Sequence, residues 1–413
     1  MRKIFRTMTV APTPVLVLMG IVLLFVACGD KHQEESKEKK LDIAIDDSLR
    51  SRLAAFAQES RVQGKFAFHV YDLTADKPVY GYQETLSQPS ASCLKLLSGV
   101  AGLHLLGSDY LYITGLYQRG KVSDGVLQGD LTFKGSLDPQ FNEQELVRFG
   151  QAAKKRGINK VNGKIYVDLV IQEPVKSEEH WYPWDLSFSR YGLFYKGAPR
   201  VMKSLKSVMR AQSIAFADSQ VVLGAMPAGS KVIYRYGTPI HRIVKRMWKN
   251  SSNTQSTALL YTIGHRINTQ ADPTATGVAY LRKFLREDLG MTDTSLVVHD
   301  GCGLCTYNHL SPQALTAILV YGYKDKSIHT MLMQNLAIAG VDGSLAHEMT
   351  GPKTRGKIHA KTGTLSHPYG ISSLAGYCRG SNGHDLAFAV MSSEMSVLDA
   401  RVLQRTLCEK LVE

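Results

Sequence analysis

Ser92 and Lys95 stand three residues apart at the start of an apolar run, and together they could carry out nucleophilic chemistry. The run over residues 94–100 predicts a buried helix, in which residues three apart project from the same side of one turn. A serine hydroxyl is a weak nucleophile until a base takes its proton, and a lysine can be that base when burial lowers its pKa. The spacing would therefore suit a nucleophilic serine with its base, but by itself it does not establish one. A lysine that extends to solvent from a helix edge would give the same pattern.

Two further motifs follow later in the chain. Ser251-Ser252-Asn253 falls at a break between two predicted helices and offers a hydroxyl and a carboxamide from one short loop. Lys361-Thr362-Gly363-Thr364 falls on a predicted strand, whose alternation places Lys361 and Gly363 on one face and Thr362 on the other. The serine–lysine spacing alone is a weak signal, since residues 36–39 also fit it. Three such motifs in this order, each on a suitable element, rarely coincide by chance.

The elements that must position these motifs can be read from periodicity. Apolar spacing predicts helices at residues 46–56, 92–107, 239–249, 254–263, 276–289, 312–321 and 397–411. Alternation and turn residues predict strands at residues 65–71, 79–82, 357–365, 371–378 and 385–391. These patterns predict an α/β (α+β) fold in which five strands form one antiparallel sheet covered by the terminal helices.

The pattern of predicted elements changes in the middle of the chain. Residues 109–237 contain short strands and turns, with strands predicted at 125–131 and 163–167 and a helix at 145–155. We therefore expect an inserted, smaller β-rich domain over 109–237. The larger domain would then consist of residues 45–108 and 238–413.

The N-terminal segment predicts export. Three basic residues precede an apolar run over residues 15–27 that is short for a membrane span, which indicates a signal peptide over residues 1–27. The run ends in Phe25-Val26-Ala27-Cys28, which resembles the lipobox of bacterial lipoproteins and predicts a lipid on Cys28. Residues 28–44 would then be a solvated tether that anchors the protein to a membrane facing the periplasm or cell envelope. A plain signal peptide or an uncleaved anchor is the alternative.

Charge and cysteine usage exclude several classes of function. The net charge is +13, but no stripe of basic and aromatic residues indicates nucleic acid, so anionic wall polymers and lipids are the expected partners. The five cysteines after Cys28 are an odd number and do not indicate a disulfide framework. Cys302 and Cys305 form a lone CxxC without further zinc ligands nearby, and none of the 13 histidines has HExxH spacing. No metal or cofactor is expected, and the redox state of this pair stays open.

The order SxxK, SxN, KTG resembles the penicillin-binding serine enzymes, and most closely the low-molecular-weight class C penicillin-binding proteins. The resemblance extends from about residue 46 to the end, and phrases at 125–130 (GVLQGD), 135–139 (GSLDP) and 339–344 (AGVDGS) support it. It implies the transpeptidase fold of penicillin-binding proteins and serine β-lactamases. It also implies D-alanyl-D-alanine carboxypeptidase or endopeptidase activity on peptidoglycan stem peptides, with β-lactams as covalent inhibitors and without a cofactor.

The resemblance implies roles for the residues of the first two motifs. Ser92 would be acylated, and Lys95 would be its base. Ser251 would relay a proton toward the leaving amine, and Asn253 would hold Lys95 and the substrate amide. The backbone N–H groups of Ser92 and Thr364 would form the oxyanion hole.

Substrate-binding roles follow from the same resemblance. Lys361 and Thr364, within the run that also contains Thr362 and Gly363, would bind the terminal carboxylate. Asp138 of the GSLDP motif would bind the far end of the stem peptide.

The segment 300–306 (DGCGLCT) departs from the family's DGSGLSR, because two serines are cysteines and Thr306 stands in place of the arginine.

Other functions stay open from the sequence. A β-lactamase or an esterase could use the same fold, although the long insertion after Ser92 argues against a compact β-lactamase. A catalytically silent penicillin-binding wall protein is a further alternative, supported only by the altered segment 300–306. The balance of carboxypeptidase, endopeptidase and transpeptidase activity, the route of deacylation and the oligomeric state are not determined by the sequence.

Overall fold

The computed structural model describes residues 42–413 except 60, 62, 187–189 and 367–369. The predicted signal peptide, Cys28 and most of the tether lie outside the described residues. Among the residues that are described, no helix is long and apolar enough to cross a membrane.

Helices and strands fall close to most of the predicted ranges. The helices are α1 (Asp47–Gln58), α2 (Leu94–Leu106), α3 (Glu143–Lys155), α4 (Ala198–Ala211), α5 (Ile240–Lys249), α6 (Asn253–Ile267), α7 (Pro273–Glu287), α8 (Pro312–Lys324), α9 (Lys326–Asn335) and α10 (Val397–Val412). The strands are β1 (Lys65–Asp72), β2 (Lys77–Tyr82), β3 (Gln88–Pro89), β4 (Leu111–Ser123), β5 (Val126–Lys134), β6 (Lys160–Val161), β7 (Ile165–Asp168), β8 (Val221–Leu223), β9 (Lys231–Pro239), β10 (His309–Leu310), β11 (Ala337–Ile338), β12 (His359–Leu365), β13 (Ile371–Arg379) and β14 (Asp385–Ser393).

The main sheet has the strand order β11-β12-β13-β14-β1-β2, and its pairs are antiparallel. It contains all five predicted strands, and the two-residue β11 adds a sixth at the edge. Helices α1 and α10 cover one face, where Phe56 packs with Phe68 and Phe388 in one buried cluster. Helix α8 contacts β1, β13 and β14. The predicted fold class is therefore confirmed.

The second sheet lies between residues 111 and 239. Its order is β8-β7-β5-β4-β9, with β6 beside β5, and it mixes parallel and antiparallel pairs. Helices α3 and α4 accompany it, and Phe133, Phe149 and Leu205 share its core. Strands β4, β6, β8 and β9 and helix α4 were not predicted. The division into an inserted domain stays a prediction.

Helix α2 is central to the site because it is buried on every side. Its residues from Leu94 to Leu103 are all buried, and it contacts α5, α6, α7, α8 and α9. A helix that is apolar all round belongs in the interior of a large domain. Lys95, on the first turn of α2, therefore has a fixed position deep in the protein.

Candidate active site

Lys95 links three parts of the chain at the start of α2. Its Nζ lies 2.8 Å from the Oγ of Ser92, and it donates to the Oδ1 of Asn253 at 2.8 Å and to the carbonyl oxygen of Cys302 at 2.5 Å. Ser92 lies on a short 3₁₀ turn, Ala91–Cys93, that leads directly into the helix. Ser92, Lys95 and Asn253 are therefore brought together as the sequence predicted.

The surroundings of Lys95 favour its neutral form. The residue is fully buried, and this burial lowers the pKa of its amine, while the nearby Asp300 carboxylate opposes the shift. A buried ammonium loses its hydration, so the charged form is penalised. A neutral amine beside a serine hydroxyl is the pairing that nucleophilic catalysis requires.

Ser251 forms a second serine–lysine pair, with Lys361. It lies between α5 and α6 in the left-handed backbone region (φ 58°), where a non-glycine residue is strained. The Nζ of Lys361 donates to the Oγ of Ser251 at 2.9 Å and to the carbonyl oxygen of Thr362 at 2.5 Å. Burial, together with the positive charge of Lys95, lowers the pKa of Lys361 to about 7.

Lys361 is fully buried, and it is not among the described residues that line the cavity shared by Ser92 and Ser251. Its Nζ contacts Ser251, which does line that cavity. Binding of the substrate carboxylate by Lys361 stays a prediction.

Gly363 allows β12 to approach the turn that carries Ser92. A Cβ atom at this position would lie 2.9 Å from the carbonyl oxygen of Ser90 and 3.0 Å from the amide nitrogen of Cys93. Both neighbours are backbone atoms and cannot move aside, so any larger residue would push β12 away. On the other face of the strand, Thr362 donates to the Oγ of Ser344 at 2.7 Å. Thr364 is exposed and lines the cavity.

A cavity of about 250 Å³ opens over these residues. The described residues that line it are Ser92, Ser251, Ser344, Leu345, Glu348, Met349, Thr362, Thr364, Ser372, Ser373, Arg401, Gln404 and Arg405. Most are polar. The cavity therefore suits a polar, extended ligand such as a peptide terminus with its carboxylate.

The segment 300–306 positions the carbonyl group that holds Lys95. The buried Asp300 carboxylate accepts five hydrogen bonds: from the amides of Cys302, Gly303 and Cys305, and from the side chains of Asn308 and Trp181. These bonds hold the loop in a tight turn against Ala91. Sequence reasoning missed this role, because the group that contacts Lys95 is a backbone carbonyl and not a side chain.

The cysteines of this segment are free, buried thiols. Burial raises the pKa of the Cys302 thiol well above its usual range and that of Cys305 to about 11. Both therefore stay protonated and unreactive at neutral pH. The sequence left the redox state of Cys302 and Cys305 open, and in this structure the two are separate thiols.

Asp138 is not brought to the Ser92 cavity. It is fully buried, and its carboxylate accepts from the Oγ1 of Thr238 at 2.5 Å and from the amide of Gln140 at 2.8 Å. Burial raises the pKa of Asp138, and these two hydrogen bonds oppose the shift. In this arrangement the carboxylate joins the segment after β5 to β9, and its binding of the far end of the stem peptide stays a prediction.

Comparison with known proteins agrees with this geometry. The chain matches the model of the D-Ala-D-Ala carboxypeptidase 3 (S13) family over residues 49–191 and 195–410. The D-alanyl-D-alanine carboxypeptidase DacB of Haemophilus influenzae is 21% identical in an alignment that covers 78% of this chain and 84% of that protein.

Solved structures share the fold. Penicillin binding protein 4 of Haemophilus influenzae superposes with a TM-score of 0.71 at 19% identity, over 87% of this chain and 97% of that one. The same protein complexed with a β-lactam gives a TM-score of 0.70 at 19% identity, over 88% and 99%. A predatory peptidoglycan endopeptidase from Bdellovibrio bacteriovorus gives 0.57 at 17% identity, over 84% and 92%.

Proposed function

Since the chain belongs to the D-Ala-D-Ala carboxypeptidase 3 (S13) family, we propose that Ser92 is the nucleophile of a serine-type D-alanyl-D-alanine peptidase that acts on peptidoglycan stem peptides. The observation that carries this proposal is the Lys95 amine, which is buried, has a lowered pKa and bridges Ser92 and Asn253. Family membership gives the class of reaction. The geometry supports the assignment of residues to its steps.

The first half of the reaction forms an ester on Ser92. Neutral Lys95 takes the hydroxyl proton as the Oγ attacks the carbonyl carbon of the penultimate D-alanine. The backbone N–H groups of Ser92 and Thr364 stabilise the oxyanion of the tetrahedral intermediate. The proton then passes by way of Ser251 to the nitrogen of the terminal D-alanine, the C–N bond breaks, and free D-alanine leaves.

The second half releases the acyl group. A water molecule attacks the ester carbonyl, Lys95 removes one of its protons, and the ester bond breaks with return of a proton to the Oγ of Ser92. The products are a stem peptide shortened by one residue and the free enzyme. A β-lactam follows the same acylation steps because it mimics the D-alanyl-D-alanine bond, and the product of its ring opening stays attached to Ser92.

The remaining motif residues orient the substrate. Asn253 accepts from Lys95 through its Oδ1, which fixes the carboxamide so that its nitrogen can donate to the substrate's amide carbonyl. The Thr362 and Thr364 hydroxyls line the cavity and would bind the terminal carboxylate. Lys361 would supply positive potential beneath Ser251.

The decisive experiment uses purified muropeptides and the protein from about residue 42 onward. We expect loss of one terminal D-alanine from pentapeptide stems, cleavage of D-alanyl cross-links, or both, with the products identified by mass. Wild-type protein that leaves every muropeptide intact, although it is folded, would refute the proposed activity. Hydrolysis of a β-lactam at a catalytic rate would support the β-lactamase alternative.

We further propose that the protein is exported and lipidated on Cys28. The support is the apolar run over residues 15–27 and the cysteine that follows it. Cys28→Ser should remove the label from supplied radioactive fatty acid and leave an unprocessed or soluble product. Normal processing together with unchanged membrane association would contradict this proposal.

A further inference from the structure

The cavity above Ser92 continues past the catalytic residues to helix α10. Thr364 of β12 is paired with Ser372 of β13 in the sheet. The Oγ of Ser372 accepts a buried hydrogen bond of 2.9 Å from the Nε2 of Gln404 on α10. This contact fixes the helix beside the strand, and Arg401 and Arg405 of the helix line the same cavity as Ser92.

The two arginines differ in their electrostatic surroundings. They are four residues apart, and therefore lie on one face of α10. Arg401 forms an ion pair of 2.9 Å with Glu348, the acidic residue among the described residues that line the cavity. Arg405 is exposed, and within the described part of the chain no ion pair neutralises it. One guanidinium therefore faces the cavity with its charge uncompensated.

We propose that Arg405 binds a carboxylate on the leaving-group side of the scissile bond, in addition to the carboxylate next to the reacting nitrogen. This inference rests on the proposed function. There, Thr364 binds the carboxylate next to the reacting nitrogen. Arg405 lines the same cavity from α10, next in the chain to Gln404, which donates to Ser372, the β13 partner of Thr364. A planar guanidinium matches a carboxylate through two parallel hydrogen bonds.

This placement selects a class of substrate. A terminal D-alanine has a single carboxylate, which would already be bound near Thr364, and nothing of it would extend to Arg405. The leaving group of a cleaved cross-link is a second stem peptide, which carries further carboxylates. Arg405 therefore favours acidic and extended leaving groups, and it directs the enzyme toward cross-link cleavage.

The test compares substrates that differ only in the leaving residue. Diacetyl-L-lysyl-D-alanyl-D-glutamate has a second carboxylate, and the D-glutamine analogue has a neutral amide of the same shape. For the wild-type protein we expect kcat/KM to be about tenfold higher for the D-glutamate substrate, as a single charge-assisted contact gives. In Arg405→Gln the ratio of the two values should fall to about one, and in Arg405→Lys it should be intermediate.

Lys410→Gln is the matched control, since it removes one positive charge from the same helix at a residue that does not line the cavity. It should keep the wild-type ratio. A wild-type ratio of one, or an unchanged ratio in folded Arg405→Gln, would overturn the inference. Acylation of wild-type Ser92 by a β-lactam distinguishes failure of the proposed function from failure of the role of Arg405. If acylation occurs but the two substrates have equal kcat/KM values, only the role of Arg405 is refuted.

Discussion

The Nζ of Lys361 lies 2.9 Å from the Oγ of Ser251, which repeats the arrangement of Lys95 and Ser92, whose atoms lie 2.8 Å apart. Both lysines are fully buried. Because two buried ammonium groups repel each other, the site favours states with fewer than two positive charges. The positive charge of Lys95 lowers the pKa of Lys361, whereas burial is what lowers the pKa of the amine beside Ser92.

Ser92 should be the residue that a β-lactam modifies. We expect a covalent adduct on the tryptic peptide that contains Ser92, and no adduct in Ser92→Ala, whose melting temperature should match that of the wild type. Mass spectrometry of the digested protein locates the adduct. Label on Ser251, or no label with any β-lactam, would contradict the mechanism.

Arginine substitutions should separate the roles of the two lysines. Arginine cannot lose its proton near neutral pH, so Lys95→Arg should lower the rate of acylation by orders of magnitude. Lys361→Arg keeps the positive charge beneath Ser251 and should be milder. Stopped-flow measurement of acylation by a chromogenic β-lactam checks both. Equal losses at the two positions would argue against distinct roles.

Removal of the Lys361 charge should stabilise the protein at neutral pH. Its pKa is about 7 in the folded protein against an ordinary 10.5. Between these two pKa values the unfolded chain binds more protons than the folded protein does. The free energy of unfolding therefore rises with pH, and the destabilisation caused by Lys361 decreases as pH rises from about 7 to 10.5. Lys361→Met should raise the free energy of unfolding at pH 7 by roughly 1–4 kcal/mol, with a smaller gain at pH 10. Urea unfolding at the two pH values measures this, and a gain that grows with pH would refute it.

Substitution of Asp300 should lower the rate of acylation far more than substitution of Cys302. Cys302 contacts Lys95 through its backbone carbonyl, so Cys302→Ala should acylate at a rate within a few-fold of the wild type. Asp300→Asn places an NH₂ group among five donors, and should cost about 3 kcal/mol of stability along with most of the acylation rate. The same β-lactam assay, combined with thermal unfolding, tests both variants. A large loss in Cys302→Ala would indicate that the thiol itself takes part.

Thr306 should weaken recognition of a free carboxylate at the far end of the stem peptide. A threonine has no guanidinium to pair with that group, so we expect little difference in kcat/KM between stems whose side chain ends in a carboxylate or in an amide. Thr306→Arg should increase the preference by about tenfold or more. A strong preference in the wild type would show that another residue makes this contact.

The sequence predicts those parts of the site that depend on side-chain type and local spacing. Ser92 and Lys95 are close because one helical turn joins them, and Gly363 is needed because β12 touches a neighbouring backbone. The carbonyl of Cys302 has no such signature, and the positions of Lys361 and Asp138 depend on how separate elements pack. No local pattern indicates that Arg405 would reach the cavity.

The missed strands have a similar physical explanation. Strand β9 is largely exposed, and so it lacks the apolar alternation that marks a half-buried strand. Strand β4 is buried over only part of its length, because its second half extends into solvent. Where neither face of a strand packs against other elements, its sequence needs no alternation of apolar and polar residues, and the strand cannot be predicted from that alternation.

The pairing of β1 with β14 joins the first and the last strand of the main sheet along the described chain. The nascent polypeptide therefore cannot complete this sheet until the ribosome has added β14. Contacts between such distant segments form slowly, and the waiting chain exposes unpaired strand edges that invite aggregation. For the exported protein proposed here, we expect this delay to keep the polypeptide unfolded during translocation, so that the main sheet is completed after export.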